Sequence, residues 1–128
     1  MNVVDSSGWL EYFTAGPNAD FFASPLENTG SLVVPSLTIF EVHKKLLVLG
    51  REAEATKVAA AMMQGQVVDL DAGLSLRAAM LSHELKLPLA DSVILATARA
   101  AGAVLWTQDA DFEGLPGVEY TPRRPSAG

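Results

Sequence analysis

The chain has 128 residues, 49% of them apolar, with 15 acidic against 9 basic side chains, a formal net charge of −6 and no cysteine. That length is enough to bury one core and too short for two, and the absence of cysteine excludes a disulfide framework, a thiolate metal site and a cysteine nucleophile. The acidic balance disfavours a module that grips nucleic acid by neutralising phosphates with Lys and Arg, but it leaves open an enzyme that meets phosphate through carboxylate-held cations, and a basic protein partner.

In chain order, Asn2-Val3-Val4-Asp5 reads as a short buried strand running into a helix cap. Neither a basic leader nor an apolar run of membrane length accompanies it, so a soluble, cytoplasmic protein with no membrane partner is expected. Residues 6–14 should be helical as far as Gly16-Pro17, and 18–28 form a second helix that Pro25 could bend. Residues 31–34 give a second strand, ended by Pro35. A helical run over 36–49 ends at Gly50, and the Ala-, Glu-, Lys- and Met-rich segment 51–64 is a helix stopped by Gly65. Residues 66–70 read as a third strand and 72–85 as a helix with an imperfect apolar face of Leu74, Leu76, Ala78, Leu81 and Leu85. After a break at Leu87-Pro88-Leu89, Asp91 opens a helix over 92–101, closed by Gly102. Residues 103–107 are a fourth strand and 118–121 an edge strand.

Strands separated by helices of this length need crossover connections, which predicts an α/β fold: a three-layer α/β/α sandwich around a mostly parallel sheet. One domain spans 1–122, and 123–128 form a loose tail. Ligands of such sheets bind beyond the carboxyl ends of the strands, where Asp5 and Asp109 both fall.

Taken singly, each candidate acid has a local explanation. Asp5 and Asp91 each precede a helix and could cap it, and Asp109 could close a turn after a strand. Glu41 matches a capping box with Thr38 and has Lys45 four residues on, yet Leu37, Ile39, Phe40 and Val42 crowd it and predict partial burial. Taken together, four acids at strand ends and on neighbouring helices could converge on one crevice. Like charges held that closely repel unless a hard divalent cation sits between them, and magnesium prefers oxygen ligands.

Four segments in order carry a further signal: Val-Val-Asp5-Ser-Ser, Pro-Ser-Leu-Thr-Ile-Phe-Glu41-Val, Leu-Ala-Asp91-Ser-Val-Ile-Leu-Ala-Thr-Ala, and Leu-Trp-Thr107-Gln-Asp109-Ala-Asp111-Phe112. Over nearly its whole length the chain resembles the PIN-domain family, in particular the VapC-like toxin ribonucleases of toxin–antitoxin pairs. The resemblance implies that Asp5, Glu41, Asp91 and Asp109 bind one or two magnesium ions, with manganese as a plausible substitute. It implies Ser6 and Thr107 as supporting hydroxyls. Asp111 either assists the site or caps the turn before Phe112, and the second role is favoured. The implied activity is endoribonuclease cleavage of RNA by water, leaving 5′ phosphate and 3′ hydroxyl ends. The implied partners are a second copy in a homodimer and a cognate antitoxin.

His43, two positions from Glu41 and so on another face of its helix, and His83 are expected at the surface. Met62, Met63 and Met80 are expected in core or dimer packing. Lys44, Lys45, Arg99, Arg123 and Arg124 read equally well as solvated charges or RNA contacts. Two rival readings exist. Residues 109–114 overlay the start of an EF-hand loop, but position twelve is Tyr120 where a bidentate Glu is required. A receiver-like phosphoacceptor domain could use Asp69 or Asp71, but no lysine follows Lys86 near the last strands.

Overall fold

Alternation along a strand sends Val3 and Val4 to opposite faces, and in the computed structural model, which describes residues 1–125, each is fully buried in a different core. Strand β1 (Asn2–Val4) pairs in parallel with β4 (Val104–Thr107), and β4 with β5 (Val118–Tyr120). Strands β2 (Val33–Pro35) and β3 (Gln66–Val68) make a second parallel pair. A parallel bridge from Asn2 to Leu32 joins the two. The spatial order is therefore β3–β2–β1–β4–β5, with the winding reversing between β1 and β4. At such a switch point the connections leave in opposite directions and open a crevice beyond the strands' carboxyl ends.

Helices α1 (Ser6–Phe13), α2 (Ala19–Glu27), α3 (Ser36–Val48) and α4 (Glu52–Met62) cover one face. There Trp9, Phe22, Val42, Leu46 and Met62 pack with Val4, Leu32 and Val34. Helices α5 (Ala72–Leu85) and α6 (Leu89–Ala100) cover the other, where Ile94, Leu95 and Ala98 pack with Val3, Val33, Leu105 and Phe112. This is the three-layer α/β/α sandwich expected from the alternation of elements. Helix α6 is buried without interruption from Ser92 to Ala98, because the sheet lies on one side of it and Leu74 and Ala78 of α5 on the other. Among the described residues no helix is long and apolar enough to cross a membrane.

Several boundaries depart from the sequence reading. The second strand starts at Val33 and includes Pro35, a short 3-10 turn (Thr29–Ser31) taking the residues before it. Proline lacks only the donor, so the last position of a short strand tolerates it. The third strand ends at Val68 and leaves Asp69 and Leu70 outside. Helix α6 begins at Leu89 with Pro88 as its N-cap, so Asp91 is its third residue and not its opener. Proline's fixed φ suits a helix start, where its missing N–H is no loss, and the Pro88 carbonyl takes the Ser92 N–H at 2.9 Å. For the same reason Thr38 is interior to α3, whose N-cap is Pro35, and the capping box with Glu41 does not form. On α5, Leu76 is 70% exposed and drops out of the apolar face. Met62 is core, whereas Met63 and Met80 are exposed. The tail also differs: Arg124 is tied to Asn18 and Pro17, and the expected looseness of 126–128 falls outside the described residues.

Gly8 lets α1 approach the sheet. A Cβ there would lie 2.5 Å from Val4 Cγ1 and 2.6 Å from Phe22 Cε1, both fully buried. Gly8→Ala should therefore destabilise the fold by about 1–3 kcal/mol, the usual cost of overpacking. Urea denaturation measures it, and an unchanged midpoint would contradict the packing described.

Candidate metal centre

The crevice between the carboxyl ends of β1 and β4 begins with Asp5, which directly follows β1 and is 4% exposed. Its Oδ1 accepts the Gly8 N–H and the Ser7 hydroxyl, each at 2.9 Å, and its Oδ2 accepts the Thr107 hydroxyl at 2.5 Å. Asp5 is thus the N-cap of α1, as its local sequence suggests. Capping occupies one oxygen and leaves the other to a β4 hydroxyl across the switch point. Burial raises its pKa to about 6, and the nearby charge of Asp109 adds to the shift, while the three hydrogen bonds oppose it. Desolvation outweighs the donors here.

The turn after β4 supplies the next two acids. Thr107 is fully buried and accepts the Asp109 N–H at 2.9 Å while donating to Asp5. Asp109 Oδ1 accepts the Asp111 N–H at 2.9 Å and so caps a 3-10 turn over Ala110–Phe112. The turn-capping role favoured for Asp111 therefore belongs to Asp109. Asp111 instead carries an exposed carboxylate into the cluster: one oxygen each from Asp91, Asp109 and Asp111 lie within 4.8 Å of one another. The spacing that brings this about, Asp109-Ala110-Asp111 on a single tight turn, is present in the sequence, where a cap before Phe112 explains it equally well.

Asp91 arrives from α6 and is half-buried in the first helical turn. The positive end of the helix dipole favours its charged form. Even so its pKa is pushed up to about 7, by burial first and then by the charges of Asp109, Asp111, Asp5 and Glu41. Four carboxylates reached from three other elements thus act on this one. Glu41, half-buried on α3, accepts the Ser6 hydroxyl at 2.5 Å. Asp5 and Glu41 are electrostatic neighbours of the Asp91–Asp109–Asp111 group and lie outside its 4.8 Å limit. Phe40, expected to help bury Glu41, is 59% exposed. His83 is exposed and His43 only half-buried.

An all-oxygen donor set under mutual repulsion suits a hard divalent cation. Opposite ligands of an octahedral magnesium ion stand about 4.2 Å apart. Three ligands include at most one opposite pair and adjacent ones stand about 3 Å apart, so the 4.8 Å group would have to draw closer or hold the ion partly through water. The rival readings lose ground on the same geometry. Asp69 and Asp71 follow β3 at the edge of the sheet, apart from the acidic group, while Asp109–Phe112 follows a strand and not the helix that an EF-hand requires.

A doubly covered parallel sheet with an acidic group at its switch point places the chain among α/β proteins whose site lies beyond the carboxyl ends of the strands. Residues 3–118 match the PIN domain, and the chain belongs to the PIN-domain family. Among curated protein sequences none matches it significantly. Among solved structures, a toxin–antitoxin complex from Klebsiella pneumoniae is similar with a TM-score of 0.80 at 24% identity, covering 98% of this chain and 100% of that one. The sarcin–ricin loop cleaving toxin VapC20 of Mycobacterium tuberculosis gives 0.75 at 18% identity, covering 91% and 95%. VapBC2 of Rickettsia felis, bound to promoter DNA, gives 0.74 at 17% identity, covering 93% and 97%.

Both shifted acids bind protons more tightly in the folded chain than in the unfolded one. Their protonation therefore supports the fold at low pH, and that support is lost as pH rises through about 6 for Asp5 and about 7 for Asp91. The metal-free melting temperature should fall between pH 5 and pH 8. Magnesium chloride should restore it at pH 8 and do little at pH 5, and Asp91→Asn should flatten the pH dependence. A metal-free melting temperature that rises over this interval would refute the assignment.

Proposed function

We propose that this protein is a magnesium-dependent endoribonuclease and acts as the toxin of a toxin–antitoxin pair in the cytoplasm. The observation that carries the reading is the convergence of Asp91, Asp109 and Asp111, with the charges of Asp5 and Glu41 felt at Asp91. Asp5, Glu41, Asp91 and Asp109 form the catalytic and metal-binding set of the proposal, and Asp111 joins it as a further carboxylate. Ser6 and Thr107 support it by fixing the carboxylates of Glu41 and Asp5.

A bound magnesium ion, for which manganese can substitute, would supply Lewis-acid polarisation of a phosphodiester and offset the acidic charge that otherwise repels it. The chain's own part is positional. Thr107 ties the end of β4 to Asp5, Asp109 shapes the turn that presents Asp111, and α6 delivers Asp91 from the opposite layer. Water attack at phosphorus would break the P–O3′ bond, the departing 3′ oxygen taking up a proton, and leave 5′ phosphate and 3′ hydroxyl ends. RNA as substrate is supported by the similarity to VapC20, a sarcin–ricin loop cleaving toxin. The similar toxin–antitoxin complexes support a cognate antitoxin as partner. A homodimer completes the proposal, and exposed apolar side chains such as Leu76 and Met80 on α5 are available for such contacts.

Digestion of a panel of structured RNAs tests the reading. Cleavage should require magnesium and stop with chelator, and Asp91→Asn should slow it by at least about 100-fold, a loss of several kcal/mol of transition-state stabilisation. Asp111→Asn should slow it by roughly tenfold if this carboxylate supports the ion from the rim of the site. Cleavage that resists chelator, or that Asp91→Asn leaves intact, rules the mechanism out.

A further inference from the structure

We infer that Asn18 and Gln108, tied down by Arg124, are positioning residues that hold the Thr107–Asp109 segment in its metal-binding geometry; this rests on the metal centre proposed above. Asn18 occupies the N-cap of α2, a place where asparagine ordinarily bonds the helix's free N–H groups. Its side chain makes no such bond. It turns inward instead and is 2% exposed. Its Nδ2 donates to Gln108 Oε1 at 2.9 Å and to the Pro122 carbonyl at 3.0 Å, and its Oδ1 accepts Arg124 Nε at 2.7 Å. Arg124 also donates to the Pro17 carbonyl.

Gln108 is likewise 2% exposed. Its Nε2 donates to Glu11 Oε2 at 3.2 Å, and Glu11 Oε1 accepts the Asn18 N–H at 3.0 Å. Buried amides are costly unless paired, and a fully paired network admits one arrangement. This one links the end of α1, the start of α2, the turn after β4 and the segment after β5. Along extended backbone, alternate residues share a side. Thr107, bonded to Asp5, and Asp109, in the carboxylate group, are such a pair, and Asp109 has extended φ and ψ. Gln108 between them points the other way, into the network. Rotation of the segment about Gln108 would turn both the hydroxyl and the carboxylate out of the site. Arg124, exposed and far along the chain, thereby acts on the site through two intermediaries.

The test uses the full chain with Arg124→Ala, Asn18→Ala and Asn18→Asp, the last keeping an acceptor for Arg124 while removing the donors to Gln108 and Pro122. Magnesium affinity is measured by titration calorimetry, alongside kcat and KM for RNA. Val58→Ala, on the buried side of α4, reports destabilisation alone. Arg124→Ala and both Asn18 variants should weaken magnesium binding by roughly tenfold, the low end of what loss of a ligand-orienting hydrogen bond costs. They should lower kcat with KM unchanged, Arg124→Lys should recover part of the loss, and Val58→Ala should leave affinity unaltered. Unchanged affinity in Arg124→Ala, or a rise in KM alone, overturns the inference, the latter making Arg124 an RNA contact. If Asp91→Asn also leaves magnesium affinity intact, it is the metal centre itself that fails.

Discussion

Repulsion among carboxylates held close together is the constraint around which this fold is arranged. Asp5, Glu41, Asp91, Asp109 and Asp111 come from four regions of the chain, and Asp91 registers the charge of all the others. Left to itself such a group would spread apart. It stays together because each acid sits on an element fixed by other forces: β1 and β4 by parallel pairing, α6 by burial along one full side of the sheet, and α3 by Val42 and Leu46 in the opposite core. The two apolar layers thus offset a local cost at the site they surround. This is the usual relation between a scaffold and a strained functional centre.

Asp5 shows how local and global demands are reconciled. As a cap it satisfies the start of α1, and through Thr107 it satisfies the seam between the two halves of the sheet. A residue whose local role looks sufficient can therefore carry a second one that appears only in three dimensions. Asp91 is the contrary case, since Pro88 occupies the N-cap position, with no side-chain cap bond, and the Asp91 carboxylate is left to the crevice.

Much of this architecture is legible in the order of residues alone. Periodicity and breakers locate every strand and α-helix, because Gly, Pro and β-branched runs act locally. The crevice follows from the rule for parallel sheets applied to Asp5 and Asp109. What local sequence does not convey is three-dimensional competition. Pro88 and Pro35 take the helix starts that local pattern assigns to Asp91 and Thr38, and Asp109 takes the cap assigned to Asp111. The network of Asn18, Gln108, Glu11 and Arg124 has no sequence signal at all, since its hydrogen-bonded pairs are 7 to 106 positions apart and none stands out by type or spacing.

The pairing of β1 with β4 has a consequence for how the molecule is made. Asn2 and Val104 are register partners, so the central strand leaves the ribosome about a hundred residues before its neighbour. Contacts of such sequence separation form late, because the closing loop must first lose its entropy. Asp5 consequently remains without Thr107, Asp109 and Asp111 until residues about a hundred positions further along the chain have been made. A chain ended before β4 contains Trp9, Phe22 and Leu46 of one core yet lacks Thr107, Asp109 and Asp111. For the activity proposed above, the order of synthesis then sets a lower bound on when competence can arise: not before β4 and the turn beyond it have been made.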